Sequence, residues 1–362
     1  AIEAYVNLGS VFVQKRMPGK ARIYFEKALA IDPAMTVAKY NLGQTFLLMG
    51  DFERGWDFYE ARFAWWEQNG VSRPCFPKPR WRGEHLRFKT ILLCAEQGLG
   101  DTLQFIRYAP LLAGKGARVV VECQPELVTL LRTVPGIDRV VARGETLPRF
   151  DLWCPMMSLP LAFRTAGYSS VPNEIPYVRA GHDSINAWQA RLSEDAGTKV
   201  GLVWAGNPRS FDHDLARTDA RRSCALSTLT PLFSVPGIHF YSLQKGQAAI
   251  EARSVGAPLR LQDYTEYFSD FADTAAFVET LDLVISVDTS VAHLAGAMGK
   301  PVWLLSRYDG CWRWLIDRND SPWYPTMRIF RQTKAGDWHG VIEHVTMELH
   351  KHVAGGIPAN RK

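Results

Sequence analysis

Asp288, Thr289, Ser290 and His293 crowd the start of "SVDTSVAHLAGAMGKPVWLL" (286–305), directly after an apolar run. Those residue types suit three roles: a hydrolytic triad, a phosphate cradle, or the capped start of a helix. A triad needs a His base held by its own carboxylate and aimed at the nucleophile. Ser290 and His293 stand three apart on one helical turn with Asp288 just before them, so they share a helix end and do not line up that way. There is also no GxSxG elbow. The cradle fits better. The N–H groups of Thr289, Ser290 and Val291 point out of a helix start with the dipole behind them, which suits a diphosphate. A capped helix with a core histidine is the alternative.

A second stretch, "EQGLGDTLQF" (96–105), also follows an apolar run. Gly98 and Gly100 permit a tight turn, and Asp101 and Thr102 open a helix. A carboxylate at the end of a strand can serve as a general base. The alternative is that Asp101 only caps the helix. The partial GxGxxG here has Leu103 where the third Gly belongs, which weakens a dinucleotide reading. Cations for a phosphate are offered by "AGNPRSFDHDLARTDARRSCAL" (205–226), read as a long polar loop. Arg221 and Arg222 are the candidates, because guanidinium forks match phosphate. The "DHD" inside it (212–214) reads as solvated charge rather than a metal motif. "SLQKG" (242–246) sets Gln244 and Lys245 at a strand end. "GCWRWLIDRNDSPWYP" (310–325) holds Trp312, Trp314, Trp323 and Tyr324. These can stack on a base or sugar, though such residues more often fill the space between domains. Arg313 and Arg318 add charge beside them.

These residues must be positioned by elements. The chain has 362 residues, 47% apolar and 22% charged, the profile of a globular protein of two or three domains. A formal charge of +5 suits an anionic small ligand or peripheral contact with a membrane surface, and is too weak to point to nucleic acid. Six cysteines without CxxC spacing fit reduced thiols in the cytoplasm. No apolar stretch has the length of a membrane span and no secretory signal is visible.

Leu8, Gly9, Phe12, Ala21, Phe25, Ala28 and Pro33 are spaced as small and large packing positions of a two-helix unit. Thirty-four residues on, Leu42, Gly43, Phe46, Gly55, Tyr59 and Arg62 repeat most of those offsets. This resembles the tetratricopeptide repeat. Arg62 stands where a small residue is usual, which marks the second unit as terminal. Two units alone are marginal, so either more precede them or they pack on the next domain. "SRPCFPKPRWRGEHLRFK" (72–89) reads as a linker. Apolar strands then alternate with helical periodicity in two successive series, the second starting near Lys199. A parallel α/β sheet in each half is expected, with ligands at the carboxyl ends of the strands. "DWHGVIEHVTMELHKHV" (337–353) reads as a final amphipathic helix.

"GLGDTLQF…APLL" together with "DLVISVDTSVAHLAGAMGKPVWLL" resembles the bacterial heptosyltransferases and their tetratricopeptide-linked relatives, over about residues 89–350. The resemblance implies a GT-B-like pair of Rossmann-like α/β domains with a deep cleft, preceded by an all-α repeat segment. The expected boundaries are repeats at 1–70, a linker at 71–88, an acceptor domain at 89–195, a donor domain at 196–335, and a helix and tail at 336–362. It implies an inverting, metal-independent glycosyltransferase with no cofactor beyond its nucleotide-sugar substrate. Asp101 is the implied base. Gly98, Gly100, Thr102 and Gln104 lie on the acceptor side. Asp288, Thr289, Ser290, Val291 and His293 line the donor site, with Arg221, Arg222, Gln244 and Lys245 as further donor contacts. Ser290 replaces the family's usual Gly and narrows the room for phosphate. The repeats imply a protein partner or acceptor, and the location is the cytoplasm, extending to the inner face of the membrane. Two other classes compete: a repeat scaffold carrying a decayed transferase region, and a nicotinamide-dependent oxidoreductase, which lacks the Gly fingerprint.

Overall fold

The chain opens on helices α1 (Ile2–Gln14), α2 (Pro18–Ile31), α3 (Thr36–Leu48), α4 (Phe52–Tyr59) and α5 (Arg62–Gln68). Pro18 starts α2, where no intrahelical N–H is needed. The Asp51 carboxylate caps α4 by accepting the Arg54 N–H at 3.2 Å. The small positions of the 34-residue pattern are where helices touch. A Cβ on Gly9 would lie 2.5 Å from the Phe25 ring, and one on Gly43 would lie 2.6 Å from the Tyr59 backbone nitrogen. Ala21, Phe25, Ala28, Ala38, Leu42 and Phe46 fill the seam between the helices.

This computed structural model describes residues 2–71, 75–208, 213–254 and 260–354. They fall into two units: residues 1–177 with 309–323, and residues 178–308 with 324–362. The repeats therefore pack within the first unit. So does the Pro-rich stretch expected as a linker, where it is described. Trp81 is buried, its N–H meets the Trp153 carbonyl at 2.8 Å, and Arg80 bridges to Trp153.

The first unit holds β1 (Thr90–Cys94), β2 (Arg118–Cys123), β3 (Ile137–Ala142) and β4 (Leu152–Pro155), all parallel, in the order β3-β2-β1-β4. The second holds β5 (Thr198–Val203), β6 (Ile238–Ser242), β7 (Leu261–Asp263), β8 (Leu283–Val287), β9 (Val302–Ser306) and β10 (Met327–Arg331). These are also parallel, in the order β10-β9-β8-β5-β6-β7. Counted from its own first strand, the second sheet is wound 6-5-4-1-2-3, the doubly wound Rossmann order, and the first sheet follows the same order cut short. Winding reverses between β1 and β4 in one unit and between β5 and β8 in the other. Central strands such as "TILLC" and "LVISV" are continuous apolar runs because both faces are covered.

Two helices differ from expectation. The stretch 205–226 is not all loop: a helix spans His213–Arg222. The helix His182–Arg191 packs on the helix Phe271–Glu279 of the second unit, which begins at Val178. The final helix runs Trp338–Ala354 and buries Val341, Ile342, Val345 and Leu349. The side chains of "DHD" (212–214) lie outside the described residues.

Candidate functional site

In the first unit the chain leaves β1 at Cys94, on the strand beside which the winding reverses. It crosses Ala95, Glu96 and Gln97 and enters the helix Leu99–Phe105 with Gly98 as N-cap. The turn does not use glycine's left-handed freedom: Gly98 has φ −76° and ψ 168°, extended backbone open to any residue, and Gly100 is already helical. Asp101 sits three residues past the cap. Its Oδ2 accepts the Gly98 N–H at 2.9 Å, and its Oδ1 accepts from the Arg313 guanidinium. Its side chain is 16% exposed and that of Arg313 is 11%. Burial alone would push the Arg313 guanidinium down, but the Asp101 charge beside it, together with Cys311 and Tyr59, more than reverses this and raises it. Thr102 is buried and donates to Gln124 Oε1 at 2.9 Å. Gln104 is fully buried, and among the described residues its side-chain amide meets no hydrogen-bond partner.

The turn is gripped by side chains the sequence did not single out for this role. Glu96 has no exposed side-chain area, and both its oxygens face Arg62, which is equally buried, at 2.8–3.1 Å. Glu96 also accepts the Met157 N–H at 2.9 Å. Burial pushes the Glu96 carboxyl up. Arg62 binds Glu60 at 2.7 Å as well, and Glu60 pairs with Arg80. Burial would raise Glu60, but those two guanidinium groups outweigh it and hold the carboxyl below its ordinary value. Gln97 donates to the Tyr59 hydroxyl at 3.1 Å, and burial raises the Tyr59 phenol well above its usual range. The one sequence signal for this network was Arg62 itself, a charged residue at a small-residue position.

In the second unit β5 lies between β8 and β6, pairing Val203 with Ser286 and Leu202 with Ser242. The carboxyl ends of these strands therefore gather the remaining candidates. Thr289 is the N-cap of the helix Ser290–Ala297, yet its side chain does not cap it. The Thr289 hydroxyl meets the Ser286 hydroxyl at 3.0 Å instead. The first-turn N–H groups are thus left without a side-chain acceptor from their own cap. Asp288, Thr289 and Ser290 are partly exposed and Val291 is buried. His293 is 4% exposed, and its Nδ1 meets the Tyr324 hydroxyl at 2.9 Å. The ring of Tyr324 lies under Gly296, where a Cβ would be 2.6 Å away. Trp312, Trp314, Trp323 and Tyr324 are all buried; the three tryptophans belong to the first unit and Tyr324 to the second.

Arg222 binds Asp219 at 2.7 Å, and both lie against Gly206, the residue that follows "VWA" after β5. A Cβ on Gly206 would sit 2.2 Å from Asp219 Oδ1. Arg221 is exposed and donates to the Thr218 hydroxyl at 3.4 Å. Gln244 bridges strand ends: its Oε1 accepts the N–H groups of Trp204 and Ala205 at 3.1 and 2.9 Å, and its Nε2 donates to the Lys245 carbonyl. Lys245 donates to the Phe268 carbonyl and lines a recess of about 230 Å³ with Gly246, Ala249, Ile250, Thr265 and Glu266.

Known proteins supply the context. The tetratricopeptide repeat model matches residues 2–35. The glycosyl transferase family 9 structure from Veillonella parvula superposes with a TM-score of 0.52 at 10% identity, over 76% of this chain and 100% of that one. The E. coli ADP-heptose LPS heptosyltransferase II gives the same TM-score and identity, over 74% and 99%. The fold is GT-B. The tetratricopeptide segment precedes it in the chain. Protein FlbA of Caulobacter vibrioides is 26% identical over 339 residues, 87% of this chain and 55% of that protein. The chain thus spans about half the length of this curated relative. No described helix is long and apolar enough to cross a membrane.

Proposed function

We propose that the protein is an inverting glycosyltransferase that moves a sugar from a nucleoside-diphosphate sugar to an acceptor hydroxyl on a protein or surface glycan. The observation that carries this reading is the place of Asp101: a carboxylate at the carboxyl end of β1, where the winding of a GT-B sheet reverses. In this reading Asp101 takes the proton of the acceptor hydroxyl, and the oxygen attacks the anomeric carbon with inversion. The nucleoside diphosphate leaves with the electron pair of the broken bond. Its charge falls to the first-turn N–H groups of the helix Ser290–Ala297, which the Thr289 side chain does not cap, and to Arg222 and Lys245. No metal or other cofactor enters this scheme. Arg313 releases Oδ1 when the acceptor arrives. The repeats recruit a protein, either the acceptor or its carrier, in the cytoplasm or at the inner face of the membrane.

Incubation with a panel of UDP-, GDP- and ADP-sugars tests the reading through release of nucleoside diphosphate. Wild type is expected to release it from one donor, and Asp101→Asn and His293→Ala to release less. A panel with no release and no saturable binding overturns it. The second reading is a non-catalytic scaffold. It is favoured by one observation: both carboxylate oxygens of Asp101 already have partners. Saturable donor binding without turnover in the presence of cell-derived acceptors would decide for the scaffold.

A further inference from the structure

We infer that the corner between α4 and α5 is a positioning device for Asp101, which makes the repeat segment part of the transferase site. The inference rests on the transferase reading for its consequence, and on contacts inside the first unit for its content.

Two arms run from that corner to the two oxygens of one carboxylate. The first goes through the turn. Arg62, the first residue of α5, forks onto Glu96 with neither side chain exposed. Tyr59, the last residue of α4, accepts from Gln97, whose own carbonyl accepts from Gln124 Nε2 at 2.9 Å. Residues 96 and 97 are thereby pinned, and the next residue, Gly98, supplies the N–H that holds Asp101 Oδ2. The second arm goes through rings. Trp56 and Tyr59 pack edge-on against Trp312, with centroids 5.3 and 5.8 Å apart. The Arg313 guanidinium lies over the Trp312 ring at 4.2 Å and reaches Asp101 Oδ1. A surface for docking peptides has to be open, whereas this corner is closed: Tyr59 is 1% exposed and Arg62 0%. What it grips is the turn and the side chain that aim the candidate base. Holding a base within a fraction of an ångström of its working geometry is what such support accomplishes.

The test uses the full chain. Tyr59→Phe removes the hydroxyl that Gln97 meets and keeps the ring against Trp312. Arg62→Lys keeps the charge and loses the fork. Hydrogen exchange at the Gly98 amide is expected to rise about tenfold in each, with the thermal midpoint of Tyr59→Phe little changed. With the active donor, kcat is expected to fall about tenfold at unchanged KM for the sugar nucleotide. Wild-type exchange at Gly98 in folded Tyr59→Phe overturns the inference. So does a loss confined to KM for the donor. If wild type releases nucleotide from no donor, the transferase reading fails by itself, and the exchange rates alone decide whether the corner holds Asp101.

Discussion

Asp101 shows how much a single side chain can be asked to do. Its two oxygens cap a helix and bind a guanidinium, and the proposed chemistry asks for one of them back. Asp101→Asn separates these duties. The amide oxygen still accepts the Gly98 N–H, so the helix cap persists, but the basicity and the ion pair with Arg313 are gone. Nucleotide release is expected to fall by about a hundredfold or more, measured on variant that near-ultraviolet circular dichroism shows to be folded; equal release from variant and wild type would leave Asp101 a cap. Glu60 carries a second residue-scale prediction. Arg62 and Arg80 overcome the burial that would raise it, so its folded value lies below the ordinary 4.5. A depressed carboxylate contributes stability that is full above 4.5 and disappears as pH falls through the folded value. Glu60→Gln is therefore expected to cost about 1–3 kcal/mol at pH 7. Denaturant melts should show that gap closing in acid; a gap that is the same at pH 7 and in acid contradicts the assignment.

At the scale of elements, the repeat hairpins are set by how closely backbones approach. A side chain on Gly43 would strike the Tyr59 backbone, which has no rotamer to yield, whereas a Cβ on Gly19 meets nothing within 4 Å. Gly43→Val is expected to destabilise by about 3 kcal/mol, and Gly19→Ala to change stability by less than about 1 kcal/mol. Chemical denaturation of the two variants checks the contrast, and equal effects would mean the hairpin seam is looser than described. The same close approach made the repeats legible in sequence, since small residues 34 apart have few other uses. Buried parallel strands were legible as apolar runs for the matching reason. Edge strands were not. β7 has three residues, all partly exposed, and β10 alternates charge with bulk in "MRIFR". The helix His213–Arg222 was hidden because "HDLARTDARR" carries almost no apolar face. At the candidate site, Asp101 and the Asp288–His293 helix start were legible from local spacing. The partners of Asp101 were not, because Arg313 lies 212 residues away and Glu96 meets Arg62 across 34 residues. Local pattern carries no record of pairings made by the fold.

For the whole molecule, the question is whether the repeats are an attachment or a wall. Phe52, Trp56 and Tyr59 of α4 pack against Phe105, Trp312 and Trp323. Phe105 belongs to the helix that carries Asp101. Arg62 neutralises a carboxylate that has no exposed surface of its own. Breaking a buried pair by removing one partner costs about 3–5 kcal/mol, against a net stability of about 5–15 kcal/mol for a typical domain. The loss of the aromatic cover adds to that cost at about 25 cal/mol per Å². A chain lacking residues 1–70 is therefore expected to lose the near-ultraviolet signal of its packed tryptophans and to aggregate, even though both parallel sheets are retained. A detachable module would behave differently, leaving a soluble, monomeric remainder with wild-type nucleotide release. Size-exclusion chromatography and near-ultraviolet circular dichroism on the shortened chain distinguish the two. Glu96→Gln within the shortened chain then separates charge from cover. It neutralises the carboxylate that has lost Arg62, so aggregation that persists in this variant traces the dependence to the aromatic seam, and its relief traces it to the unpaired charge.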